Sequence, residues 1–146
     1  MAKTNGEIKG ETNLSSAIGR KRERYIEAMQ PLLKKSVARY VGNDKHINIK
    51  FNKKGIDHIA DDLLTKNLGI SQKDLSKLDD FLREALYERS LGLYKDRTDN
   101  IQRFYYFKDK NRNLYYHVAE EVNKLNNGRI IVDRHLYAIS KKMPKK

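Results

Sequence analysis

The spacing of apolar residues along the chain changes character near residue 100. Between Ala17 and Tyr40 the apolar positions Ile18, Tyr25, Ile26, Met29, Leu32, Leu33, Val37 and Tyr40 recur mostly at intervals of three and four. That spacing predicts an amphipathic helix, bent or restarted at Pro31 and stopped by Gly42-Asn43-Asp44. Ile47, Ile49 and Phe51 alternate with polar residues and predict a short strand. A second helix is expected over 54–66, with Ile56, Ile59, Ala60, Leu63 and Leu64 on one stripe and Gly69 closing it. Ser71-Gln72-Lys73-Asp74 suits a capping box for a third helix, whose stripe of Leu75, Leu78, Leu82, Ala85 and Leu86 runs to about Ser90. The polar run 95–100 reads as a loop.

Beyond it the period shortens to two. Residues 103–108 and 114–119 are strand-like, rich in Tyr and Phe, and joined across Asp109-Lys110-Asn111-Arg112. Asn126-Asn127-Gly128 is a turn, and 129–140 is a third strand-like run. Residues 1–16 hold almost no apolar side chains and read as a flexible arm. The expected organisation is therefore that arm followed by one domain over 17–146, with a helical extension at 17–41 and a core at 46–142. Its class is α+β, with N-terminal helices packed on a C-terminal antiparallel meander.

Composition narrows the chemistry. The chain has 146 residues, enough for one hydrophobic core, and 31 Lys+Arg against 19 Asp+Glu give a formal charge of +12. A field of that sign attracts phosphates, so RNA or another nucleic acid is the expected partner. Cysteine is absent, which excludes disulfides, a thiolate nucleophile and Cys-ligated metals. The histidines at 46, 58, 117 and 135 lack metal-ligand spacing, and Asp61-Asp62 reads as a solvated helix face, so no metal or cofactor is expected. No Gly-rich phosphate loop, nucleophile elbow or dinucleotide fingerprint is present. No apolar run reaches membrane-spanning length and no signal sequence opens the chain. The expectation is a cytoplasmic protein with no membrane partner, or one delivered by a larger export system.

The aromatic hairpin is the most informative segment. An even connection between its strands puts Tyr105, Phe107, Leu114, Tyr116 and Val118 on one face, the natural core side. Phe104, Tyr106, Lys108, Tyr115, His117 and Ala119 share the other. In the last run, even positions Ile130, Val132, Leu136 and Ala138 suit the core, and Arg129, His135 and Tyr137 join the aromatic, cationic face. Ile131 and Ile139 also fall on that face, and a parity switch at Asp133-Arg134 would alter the assignment. Aromatic rings stack on unpaired bases while Lys and Arg hold phosphates, so such a face suits RNA. The same side chains are also ordinary half-buried sheet residues. Metal-free RNA cleavage needs a base near neutral pKa, a cation at the phosphorane and an acid for the leaving oxygen. His58 lies nearly opposite the apolar stripe of its helix, and Asp62, four residues on, is placed to hold its ring. The expected catalytic cleft combines His58 with His117, Lys108 and Tyr137, and Tyr106, Tyr115 and Arg129 would contact substrate.

As a series, Gly55-Ile56-Asp57-His58-Ile59, the hairpin string from Arg103 to Val118 and Leu136-Tyr137-Ala138-Ile139-Ser140 resemble the barnase–EndoU–colicin–RelE-like nuclease fold, in its phage and polymorphic-toxin branch. The resemblance covers roughly 46–142. It implies a metal-independent endoribonuclease, a toxin or mobile-element nuclease, countered by an acidic inhibitor or immunity protein. It further implies His58 as acid or base, Lys108 or Arg112 at the phosphate, and Tyr137 or Ser140 at the closing strand. Two other readings use the same residues: a non-catalytic basic nucleic-acid-binding domain, and an interaction module docking on an acidic protein.

Overall fold

The computed structural model describes residues 4–42, 44–92 and 99–144. Helix α1 spans Thr4–Met29 and a 3-10 turn covers Gln30–Lys34; strands β1 (Ser36–Tyr40) and β2 (His46–Lys50) follow. Helix α2 (Lys53–Thr65) and a second 3-10 turn (Gln72–Lys77) lead to α3 (Leu78–Glu84). Strands β3 (Leu86–Gly92), β4 (Ile101–Asp109), β5 (Leu114–Lys124) and β6 (Ile130–Ser140) complete the chain. The class is α+β. All strands join one curled sheet in the order β1-β2-β6-β5-β4-β3, antiparallel except for the β2–β6 pair.

The sheet is larger than the meander expected, because two predicted helices end early. Pro31 has no amide hydrogen and its ring collides with the preceding turn, so α1 stops at Met29. Val37 is then buried from a strand while Leu33 and Tyr40, counted in the helical stripe, are exposed. Gly42 and Asp44, both at positive φ, lie in the β1–β2 connection instead of capping a helix. The third helix buries Leu75, Leu78, Leu82 and Ala85 as its stripe requires, but Ser71 makes no side-chain cap and the helix ends at Glu84. Residues 86–92 pair with β4 instead, since satisfying an open sheet edge outweighs a modest helical preference. At the other end, α1 begins at Thr4, inside the stretch expected as an arm; extending a formed helix costs little per residue. Residues 1–3, 95–98 and the tail lysines 145 and 146 lie outside the described residues.

The main core lies between the helices and one sheet face. It contains Met29, Leu32, Ile49, Ile56, Ile59, Leu78 and Leu82 against Tyr105, Phe107, Leu114, Tyr116 and Val118. The hairpin parity therefore holds, and β4 pairs with β5 as Tyr105↔Val118 and Tyr106↔His117. In β6 the parity switches at Tyr137, not at Asp133-Arg134. The β5–β6 register passes from His117↔Ala138 to Val118↔Leu136, leaving Tyr137 as the extra residue of a bulge. The bulge returns Ile139 to the core and puts Ala138 opposite His117, against the expected core position of Ala138. Ile130 and Val132, also expected in the core, are 64% and 46% exposed. They stand beyond the sheet neighbours, because β4 meets β5 no further than Glu121 and β2 meets β6 at His135.

Candidate functional site

Helix α2 lies along the edge of β6 past the point where β2 leaves it. Asn52 caps the helix by accepting from the Gly55 amide, and Gly55 packs against the Leu136 backbone. From there Lys54, His58 and Asp62, one turn apart on a single helix face, meet the second face of the sheet in sequence, and Lys66 follows as the extended residue that ends the helix. Lys54 Nζ donates to Glu121 at 2.8 Å. The His58 ring stacks on Tyr137, centroids 4.2 Å apart and planes inclined by 28°. Asp62 Oδ2 accepts from the Ile139 amide at 3.3 Å, and its Oδ1 accepts from Lys66 Nζ at 3.1 Å. His58 Nδ1, which is buried, lies 3.5 Å from Asp62 Oδ2, at the outer limit of a hydrogen bond.

Asp62 was expected on a solvated face, yet only 6% of it is exposed, and its carboxylate caps an edge amide of β6. Its neighbour Asp61 does face solvent, paired with Arg22 at 2.7 Å. Burial alone would push the Asp62 carboxyl up, but the hydrogen bonds from His58, Lys66 and the Ile139 amide outweigh it and hold the group below the usual carboxylate range. An ionised Asp62 facing Nδ1 favours the His58 tautomer with its proton there, in which Nε2 is the acceptor atom, on a side chain that is 40% exposed.

His117 stands beside this pair. Its Nε2 lies 2.7 Å from Ser140 Oγ, and Ser140 in turn donates to the Lys142 carbonyl at 2.8 Å. The serine hydroxyl proton is thus committed, so His117 is the donor and carries its proton on Nε2. Burial holds the His117 pKa down at about 4, partly offset by Asp62, while Lys66 and His58 lower it further. It is neutral near pH 7. Tyr106 and Phe104 pack on it, with ring centroids at 5.0 and 6.3 Å.

Of the residues expected in one cleft, His58, His117 and Tyr137 are together, and Ser140, expected at the closing strand, is bonded to His117. Lys108 is on the same face but further along, next to Tyr115, which pairs with Ser140. Its Nζ donates to Asn113 and sits 4.3 Å over the Tyr115 ring, so both side chains form the periphery. Arg112 is on the other side of the sheet, bonded to Asp109 and stacked at 3.4 Å on Phe81. Arg129 is at the far β5–β6 turn. Neither approaches His58. The second face is also less open than a stacking platform would be: Tyr106 is 3% and Phe104 8% exposed, in a cluster with Ile101 and Ala119 that Leu91, Tyr137 and Met143 cover. His135, expected on an open face, is fully buried with Nδ1 2.9 Å from Asp133.

The residues missed are Lys54, Lys66 and Glu121. The four-residue spacing Lys54–His58–Asp62–Lys66 was visible in the sequence, and it marks one helix face whatever that face meets. Among the described residues no group of three His, Asp or Glu side chains is arranged to hold a metal, and no helix is long and apolar enough to cross a membrane. No family model matches the chain, and neither a curated protein nor a solved structure matches it significantly.

Proposed function

We propose that the protein is a metal-independent endoribonuclease acting at His58. The observation that carries this reading is the His58–Asp62 pair seated on Tyr137 within a strongly basic chain. An imidazole whose inner nitrogen faces a fixed carboxylate presents its outer nitrogen as a proton acceptor in the neutral form. In the proposed reaction His58 Nε2 takes the proton of a ribose 2′-hydroxyl. The 2′-oxygen bonds to the adjacent phosphorus, and the P–O5′ bond breaks. The leaving oxygen takes a proton from the Tyr137 hydroxyl, which lies in the field of Lys54. The products are a 2′,3′-cyclic phosphate and a 5′-hydroxyl.

The resemblance to the barnase–EndoU–colicin–RelE-like nucleases points the same way, and under it an acidic inhibitor would be the natural protein partner. A second reading, a non-catalytic nucleic-acid-binding domain, needs only the charge of +12. The two separate in one experiment. Labelled RNA incubated with the chain in EDTA should be cut to cyclic-phosphate ends, and His58→Ala should slow this by roughly 10²–10⁴-fold with the fold intact. RNA that is bound but stays whole would leave the binding-domain reading.

A further inference from the structure

The tip of the β5–β6 hairpin is apolar. Leu125, Ile130, Ile131 and Val132 lie there, four of the eight exposed large hydrophobic side chains among the described residues, each between 39% and 64% exposed. The outer edge of β6 is also open at this end. β2 pairs with it at His135 alone, and on the other side the Arg129 carbonyl accepts from the Leu125 amide. Successive residues of a strand point their amides to opposite edges, so Ile130 and Val132 direct theirs away from β5. The Val122 amide, across from Val132, likewise turns away from β6 to the Asn100 carbonyl, as that alternation requires. Exposed edges are ordinarily blunted by a charge, a proline or a bulge, because a bare edge pairs with another strand. Ile130-Ile131-Val132 has none of these.

We propose that this edge pairs with the same edge of a second copy of the chain, as antiparallel strands with their two-fold axis at Ile131. The segment is self-complementary about that residue. Ile130 faces Val132 of the other copy, and their outward amides and carbonyls close the ladder. Ile131 faces itself in a non-hydrogen-bonded pair. On the same side of the strand, Arg129 faces Asp133 of the other copy, and the symmetry makes this pair twice. Both charges are available for it. Arg129 has no ionic partner among the described residues, and Asp133, bonded to His135 and Asn52 through Oδ2, keeps Oδ1 for a further donor. Centring the axis on Ile130 or Val132 instead would set Arg129 or Asp133 against Ile131. Tyr137 is six residues along β6, about 20 Å from the axis at the strand rise, so the pairing leaves the His58 site clear.

Sedimentation of the whole chain, freed of nucleic acid, should show a monomer–dimer equilibrium that tightens as salt screens the repulsion between two copies of charge +12. A chain that stays monomeric at every concentration, or that dimerises only with added RNA, overturns the proposal. Ile131→Lys, at an exposed position, sets like charges opposite each other on the axis. It should raise the dissociation constant by about 10-fold or more with the circular-dichroism spectrum unchanged. A dimer as tight as the parent's places the contact elsewhere and overturns the proposal. The chain has no cysteine, so a single introduced one reports the register. Cα atoms of a non-hydrogen-bonded pair are about 4.5 Å apart, within disulfide reach, whereas residue 130 is offset by two positions from its own copy. Ile131→Cys should therefore oxidise to a covalent dimer at least about 10-fold faster than Ile130→Cys. Equal rates, or a faster Ile130→Cys, overturn the pairing about Ile131.

Discussion

Gly55 packs so closely on Leu136 that a β-carbon on the glycine would overlap the Leu136 carbonyl oxygen. The contact sets α2 against β6, and one turn along the helix His58 reaches Tyr137, the residue next to Leu136. Backbone faces backbone here, so no side-chain rotation relieves the overlap. Gly55→Ala should cost ~3 kcal/mol or more in urea unfolding. In the surviving folded fraction it should also separate the His58 and Tyr137 rings, seen as weaker ring-current shifts in proton NMR. A variant as stable as the parent would mean the two backbones are further apart.

Asp62 ties together the helix face, the edge of β6 and the His58 ring. Asp62→Asn keeps an oxygen for the Ile139 amide but removes the charge that favours a proton on His58 Nδ1. Cleavage of RNA should fall by about 10²-fold or more, with the loss in kcat and little change in KM. A parallel rise in KM with kcat unchanged would assign Asp62 to substrate binding instead.

His117 makes stability depend on pH. Its pKa in the fold is about 4, pushed down by burial, whereas the unfolded chain has the ordinary value near ~6.5. Between those values the unfolded chain takes up a proton that the folded chain refuses, so the stabilising contribution is complete above about pH 6.5 and is lost as pH falls toward 4. Unfolding free energy should drop by about 2 kcal/mol from this group between roughly pH 7 and 4.5. His117→Gln should flatten that portion of the curve. An equal drop in the variant would assign the dependence to other groups.

Binding of single-stranded RNA should weaken steeply with salt, because each neutralised phosphate releases counterions and adds about −0.7 to the slope of log K on log salt. Fluorescence anisotropy with an uncleavable oligonucleotide measures this directly. A flat salt dependence would remove the electrostatic basis for a nucleic-acid partner.

The local pattern of the sequence determined what depends on neighbours within a few residues. Period two across Asp109 to Arg112 placed Phe107 and Val118 in the core, because the pleat alternates faces whatever the sheet packs on. Helix α2 and its buried Ile56, Ile59 and Ala60 followed from a stripe at helical spacing. The charge that points to phosphate is a sum over the chain and needs no structure. Pairing partners were another matter. Residues 36–40 and 86–92 carry spacing compatible with helix, and only the open edges of β2 and β4 made them strands. The bulge at Tyr137 is a mismatch between two strands, so it exists in neither alone, and it decides that Ile139 is buried while Tyr137 turns to His58. Arg112 shares a turn with the hairpin in sequence, but Phe81 and Asp109 hold it on the opposite side of the sheet. The candidate site joins residues from α2, β5 and β6. Its assembly depends on where a helix lies along a sheet edge, and the close approach of Gly55 to the Leu136 backbone sets that placement.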